Sequence, residues 1–126
     1  EPGTEAALDA LLGAGFAHEA VTLDLRALAA LATDAAVLVS NDSAVLHLGP
    51  ALGVPAFGLF GSTVPAFGFA RQGPRDAVGE IALPCRPCGV HGRDHCPLGH
   101  HACMESLTPE IALDALRPLL ATVAAA

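Results

Sequence analysis

Two groups of residues in this 126-residue chain have types and spacings that can do chemistry. The first is Asn41-Asp42-Ser43, which follows the apolar run Ala36-Val37-Leu38-Val39-Ser40, with His47 four residues beyond Ser43. A helix starting near Ser43 would leave the N–H groups of Ser43, Ala44 and Val45 without intrahelical partners, aimed past the strand end. Unpaired N–H groups and the helix dipole together hold phosphate, and they do so without lysine, which this chain lacks. At i and i+4, Ser43 and His47 share a helix face, so His47 could donate to a phosphate or a leaving oxygen. Its other reading is a half-buried helix histidine satisfied within the protein. Asp42 would repel phosphate, and its candidate roles are accepting sugar hydroxyls or capping the helix. Gly61 and Thr63, within Gly61-Ser62-Thr63-Val64-Pro65, either line the same crevice or serve only as turn residues.

The second group is Cys85-x2-Cys88-x7-Cys96-x6-Cys103, interspersed with His91, His95, His100 and His101. Four thiolates suit tetrahedral zinc, and the two-residue spacing of Cys85 and Cys88 lets both reach one ion, although the second pair is wider than in standard fingers. An iron–sulfur cluster takes the same ligands, and free or disulfide-paired thiols are further alternatives. The stretch from Pro84 to Glu105 includes Gly89, Gly92 and Gly99 and few apolar side chains, so ordering it incurs a large entropy cost. The expectation is that Cys85, Cys88, Cys96 and Cys103 converge on one small volume, with a structural zinc ion stabilising the loop under reducing conditions.

Composition narrows the partners. Six arginines, no lysine and thirteen carboxylates give a formal charge of -7, which excludes the clustered basic surface that nucleic acids require. Five Phe with no Trp or Tyr leave little material for base-stacking platforms. The hydrophobic share is 52%, yet alanine supplies much of it, and no apolar run approaches a membrane span. Glu1-Pro2-Gly3-Thr4-Glu5 lacks the basic start and apolar stretch of a signal peptide, so the expected compartment is the cytoplasm.

The elements that must position these groups follow from periodicity. Apolar spacing predicts a short helix from Glu5 to Leu12 stopped by Gly13 and Gly15, a brief strand at Ala20-Val21-Thr22-Leu23, and a helix whose apolar face is Leu25, Leu28, Ala29, Leu31 and Ala32. Residues 36–40 read as a parallel strand covered on both faces. A helix is predicted from Ser43 to Leu52, with Pro50 kinking or shortening its last turn, then a buried strand at Ala56-Phe57-Gly58-Leu59-Phe60. Residues 66–80 read as loop, and Ile81-Ala82-Leu83 as a short strand. Thr108-Pro109-Glu110 opens a last helix with apolar positions Ile111, Leu113, Leu116, Leu119, Leu120 and Val123, kinked at Pro118. Alternating strands and helices imply a doubly wound α/β sheet with ligands at the carboxyl ends of its strands. Such a domain usually opens on a strand, and this chain begins almost at a helix, so it reads as a partial domain without its first strand.

The residues Asn41-Asp42-Ser43-Ala44-Val45-Leu46-His47-Leu48, Ala51-Leu52-Gly53-Val54-Pro55 and Leu59-Phe60-Gly61-Ser62-Thr63-Val64-Pro65 resemble glycosyltransferase family 9 in order and spacing. The resemblance extends upstream through Leu25-Arg26-Ala27-Leu28-Ala29-Ala30-Leu31. Downstream it runs through Cys85-Arg86-Pro87-Cys88 to Cys103-Met104 and Leu107-Thr108-Pro109-Glu110. It implies a GT-B architecture of two Rossmann-like domains facing a cleft. Residues 1–126 would be part of the C-terminal, nucleotide-sugar-binding domain, including a Cys-rich loop at 84–105. The donor implied is typically ADP-heptose and the acceptor a lipopolysaccharide core precursor, with the full-length enzyme cytoplasmic and peripheral to the inner membrane. Donor-binding residues carried over are Asp42, Ser43, Ala44, His47, Gly61 and Thr63. Acceptor recognition and the general base belong to the N-terminal domain, so no catalytic residue is assigned in this chain, and no organic cofactor is implied. The sequence departs from the family at Ala44, where glycine is usual, and at Gly49-Pro50, where alanines are usual. A reading of another class is a free-standing Cys-rich zinc-binding or interaction module, which donor binding would distinguish.

Overall fold

The computed structural model describes residues 21–68 and 73–125, so the helix expected from Glu5 to Leu12 lies outside the described residues. Helix α1 (Leu25–Ala32) begins where Asp24 caps it, the Asp24 side chain accepting from the Ala27 N–H at 2.8 Å. Strand β1 (Leu38–Asn41), helix α2 (Ala44–Leu52) and strand β2 (Ala56–Phe60) follow. A 3-10 turn (Pro65–Phe67), strand β3 (Ala77–Glu80), the single-turn helix α3 (Ala102–Glu105) and helix α4 (Pro109–Ala124) complete the described chain.

The three strands form one parallel sheet in the order β1-β2-β3. Leu38 is in register with Ala56 and Asn41 with Leu59; Phe57 is in register with Ala77 and Phe60 with Glu80. Parallel neighbours need crossovers, and α2 supplies the one between β1 and β2, packing on both strands. The architecture is therefore the α/β, Rossmann-like parallel sheet with flanking helices that the alternation of elements implies. The central strand is buried along nearly its whole length, with Phe57 and Phe60 fully so, which is why it reads as an unbroken apolar run. Leu46 of α2 joins Ala56 and Phe60 in the core, and Val78 of β3 packs against them. Gly49 allows α2 to lie this close: a Cβ there would fall 2.9 Å from the Ala56 Cβ and 3.0 Å from the Val54 carbonyl oxygen.

Several expectations are corrected. Ala20 of the expected strand lies outside the described residues, and residues 21–23 form no strand: Val21 and Leu23 are exposed and no ladder with another described residue supports extended structure there. Strand β3 falls at Ala77–Glu80, inside the stretch read as loop, and not at Ile81-Ala82-Leu83. Beyond the Phe60–Glu80 pair the neighbouring chain turns away at Gly61, leaving Ile81 no strand partner among the described residues. The start of β3 is fixed by Asp76, which is buried and accepts from the Ala56 N–H at 2.9 Å and the Gly73 N–H at 2.7 Å. Leu25 and Leu31 of α1 are exposed, so its buried face is reduced to Ala32 with partial cover of Leu28 and Ala29. Helix α4 runs through Pro118 as one element and packs on β3 through the buried Leu119, while Ile111, Leu113 and Leu120 stay exposed. Pro50 lies inside α2, which continues to Leu52 before Gly53, at φ 75°, ends it. No helix among the described residues is long and apolar enough to cross a membrane.

Candidate functional site

The carboxyl end of β1 passes through Asp42 and Ser43 directly into α2. Ser43 is the N-cap residue, with extended φ and ψ, and its carbonyl accepts from the Leu46 N–H at 3.0 Å. Its side chain does not cap the helix. The hydroxyl instead lies 2.9 Å from the Ser40 hydroxyl, which is 2.9 Å from the Asn41 carbonyl. A hydroxyl has one proton, so when Ser40 donates to Asn41, Ser43 donates to Ser40, and an arriving anion would have to redirect that proton. The backbone N–H groups of the first turn remain the principal donors at this end of the helix.

Asp42 caps nothing. Its Oδ2 accepts from the Thr63 hydroxyl at 2.5 Å, across the gap between the ends of β1 and β2. Thr63 is 6% exposed, so it holds Asp42 in place and contributes little open surface of its own. Behind it stands Arg86, whose side chain is 4% exposed. Arg86 donates to the carbonyls of Thr63 (2.7 Å) and Ile81 and to the Glu80 carboxylate (2.8 Å). Its Nε is buried with no partner among the described residues. In the sequence Arg86 reads only as one of the two residues that space Cys85 from Cys88. A lone arginine between cysteines carries no periodic signal, and only the fold reveals what its fork reaches.

Two hollows open at these strand ends. One, about 270 Å³, is lined by Asp42, Ser43, Ala44, His47, Val90 and His91. The structure thus gathers four of the six predicted donor residues at the start of α2, with His47 half-buried and already engaged within the protein. The second, about 370 Å³, is bounded by Asp42, Gly61 and Thr63 on the sheet side and by Arg93, His95, Cys96 and Met104 among others on the loop side. Asp42 and His91 line both. The loop comes close to Gly61: a Cβ there would lie 2.4 Å from the Met104 sulfur, so the Met104 side chain would have to move.

The Cys-rich loop therefore forms a wall of the crevice. Its four cysteines are free thiols and line two adjoining hollows that share Cys88 and Cys96, one with Cys103 and the other with Cys85. Among the described residues no three His, Cys, Asp or Glu side chains group so as to hold a metal ion. Hydrogen bonds tie the loop to the sheet and to itself. The Cys88 N–H donates to the Ser62 carbonyl at 2.9 Å and the Arg93 Nε to the Cys88 carbonyl at 2.8 Å. The His101 ring accepts from the Cys96 N–H at 3.3 Å. Backbone hydrogen bonding from His101 holds the Cys96 thiol below its usual pKa, with smaller help from Leu98, His100 and Gly99 against the opposing effect of burial.

A parallel sheet with flanking helices, in which β1 leads directly into the N-terminus of α2, defines a Rossmann-like α/β unit. The chain belongs to glycosyltransferase family 9 (heptosyltransferase), whose model matches residues 8–98. That match includes β1 to β3 and the loop as far as Leu98, and stops before Cys103 and α4. The chain is 31% identical over 84 residues to lipooligosaccharide heptosyltransferase 2 of Campylobacter jejuni subsp. jejuni serotype O:2, covering 67% of this chain and 25% of that protein. It is 28% identical over 83 residues to the protein of the same name from serotype O:6, covering 66% and 25%. The chain thus spans about a quarter of the length of the curated relatives it matches. No solved structure matches it.

Proposed function

We propose that this chain is the donor-binding part of a glycosyltransferase that moves a heptose-type sugar from a nucleotide-diphosphate donor, ADP-heptose, to a lipopolysaccharide core acceptor. The observation that carries the reading is the hollow at the start of α2, where Ser43, Ala44 and His47 meet an Asp42 held by Thr63. Family membership and the names of the two heptosyltransferase relatives support it. In this reading the N–H groups of Ser43 and Ala44 take one phosphate and His47 donates to a phosphate oxygen. The Asp42 oxygen not held by Thr63 accepts from a sugar hydroxyl. The bond between the sugar carbon and the phosphate oxygen breaks, its electron pair leaving with the diphosphate. The acceptor hydroxyl oxygen forms the new bond, and its proton passes to a base in the remainder of the enzyme. Because acceptor and base must be placed by that second domain across the cleft, residues 1–126 alone transfer no sugar. The full-length enzyme would work in the cytoplasm, peripheral to the inner membrane.

A structure of the full-length enzyme with nucleoside diphosphate tests the assignment. The expected contact is a phosphate at the Ser43 and Ala44 N–H groups, and a diphosphate lying elsewhere with His47 untouched overturns it. Turnover by the isolated fragment at a rate comparable with an intact homologue would contradict the requirement for a second domain.

A further inference from the structure

The Cys-rich loop is pressed onto the turn that ends β2, with Met104 beside Gly61, Arg86 on the Thr63 carbonyl and the middle of the loop on Ser62. The Cys88 N–H donates to its carbonyl, and Gly92, at φ 77°, passes so close that a Cβ there would lie 2.5 Å from the Ser62 Oγ. The residues flanking Gly92 are therefore carried to the crevice by backbone geometry. His91 lines both hollows, and Arg93 lines the larger one. The Arg93 Nε donates to the Cys88 carbonyl, one residue from the Ser62 anchor in the chain of contacts. A guanidinium has donors on three nitrogens, so committing Nε orients the planar fork and leaves the Nη pair for a ligand.

Charge makes Arg93 distinctive. Among the described residues it is the only Lys or Arg that lines either hollow, where Asp42 and Asp94 both disfavour an anion. The start of α2 offers about half an elementary charge, too little alone to balance a diphosphate beside two carboxylates. No other described arginine is available there. Arg86 is buried on Thr63, Ile81 and Glu80, Arg117 pairs with Asp114 on α4, and Arg75 donates to the Gly53 carbonyl at the opposite end of α2. Arg26 lies on α1 and lines neither hollow.

Building on the donor-site reading above, we infer that the loop from Pro84 to Glu105 is the second wall of that site and that Arg93 is a ligand of the donor diphosphate. It takes the phosphate not held by the Ser43 and Ala44 N–H groups. When the sugar–oxygen bond breaks, the charge that develops on that phosphate faces a pre-oriented guanidinium.

Calorimetric titration of the full-length enzyme with ADP, with AMP and with inorganic pyrophosphate tests this. Arg93→Gln should weaken ADP and pyrophosphate by about tenfold to a hundredfold, as loss of a charge-assisted hydrogen bond does, and leave AMP nearly unchanged. Arg93→Lys should recover only part of this, since lysine cannot keep both the Cys88 contact and the fork. Gly92→Ala, which forces the loop off Ser62 while keeping the charge, should weaken ADP in the same sense. Melting curves of each variant report whether it is folded. Unchanged ADP affinity in Arg93→Gln, with binding abolished by Ala44→Asp, would overturn the role of Arg93 while leaving the donor site at α2 standing. ADP affinity unchanged by Ala44→Asp as well would overturn the donor-site reading itself.

Discussion

Residues 38–60 and residues 84–105 face each other across one crevice, yet they are held by different physics. The first is a frame of paired strands and a helix around Leu46, Ala56 and Phe60, ordered by burial and by backbone ladders. The second has no strand and only the single turn of α3. It is fixed by side chains reaching backbone carbonyls, by Arg86 at its root and by Arg93 in its middle. Burial is redundant, because many atoms share it, whereas each directional contact in the loop stands nearly alone. A site built from both combines a rigid floor with a wall whose position depends on a few named bonds.

The largest expected effect breaks the frame. Phe60 is fully buried at the carboxyl end of β2, one residue before Gly61, so Phe60→Ala removes core packing directly beneath the crevice. The expected loss is about 3–5 kcal/mol, read from urea unfolding of the full-length enzyme. A loss below about 1 kcal/mol would mean that the frame does not depend on this cluster.

Arg86→Met is the corresponding break in the loop. It keeps much of the side chain's volume but leaves the carbonyls of Thr63 and Ile81 without their donor. A loss of about 1.5–3 kcal/mol follows from removing hydrogen bonds to a charged group. The Glu80 pair adds little, because that carboxylate is 36% exposed. Thr63 also carries Asp42, so Arg86→Met should in addition weaken ADP binding, whereas an equally destabilising core substitution far from the strand ends should not. Equal affinity in both variants would cut the proposed link from Arg86 through Thr63 to Asp42.

This contrast also explains what the sequence disclosed. The runs at 36–40 and 56–60, the Ser43 start and the Thr108-Pro109 start were legible because burial and capping leave periodic or positional marks. The gathering of Asp42, Ser43, Ala44 and His47 followed from them, since a strand end and a helix start in that order leave few alternatives. Strand β3 was not legible: Ala77-Val78-Gly79-Glu80 has a single β-branched residue, and its position is set by Asp76 reaching Ala56, twenty residues earlier. In the loop only the cysteine spacing is conspicuous. Its hydrogen bonds to the sheet and within itself come from one arginine at each of two places and from backbone atoms, which carry no pattern.

A smaller effect lies at the start of α4, where sequence and structure agree. Thr108 accepts from the Ile111 N–H at 3.5 Å, a long bond, so Thr108→Ala should cost about 0.5–1 kcal/mol, the low end for lost caps. The Thr108 hydroxyl, with the Glu110 backbone, also holds the Glu110 carboxylate below its ordinary pKa, opposed by burial and by Asp114. A lowered carboxylate contributes stability above its unfolded pKa and loses it as pH falls through the folded one. The difference in unfolding midpoint between wild type and Thr108→Ala should therefore shrink as pH drops below the ordinary glutamate range. A gap independent of pH would separate the cap from Glu110.

The last test perturbs stability least and bears most directly on the loop. Cys96 is a free thiol whose pKa is lowered, first by the His101 backbone, so at neutral pH a larger fraction is thiolate than in the unfolded chain. The thiolate is the nucleophile, and Cys96 borders both cysteine-lined hollows at the surface. Alkylation of reduced full-length enzyme near pH 7, followed by peptide mapping, should label Cys96 faster in native protein than in denaturant. Raising the pH above the usual thiol range should remove that advantage, because the unfolded thiol then ionises as well. His101→Ala removes the imidazole that accepts from the Cys96 N–H, and should alter the labelling rate if that contact holds the turn. The contrary result would be protection of all four cysteines together, released only by a chelator. That would mean an ion had drawn Cys85, Cys88, Cys96 and Cys103 into one site, and that the loop is held by coordination instead of by the hydrogen bonds at Ser62, Cys88 and His101.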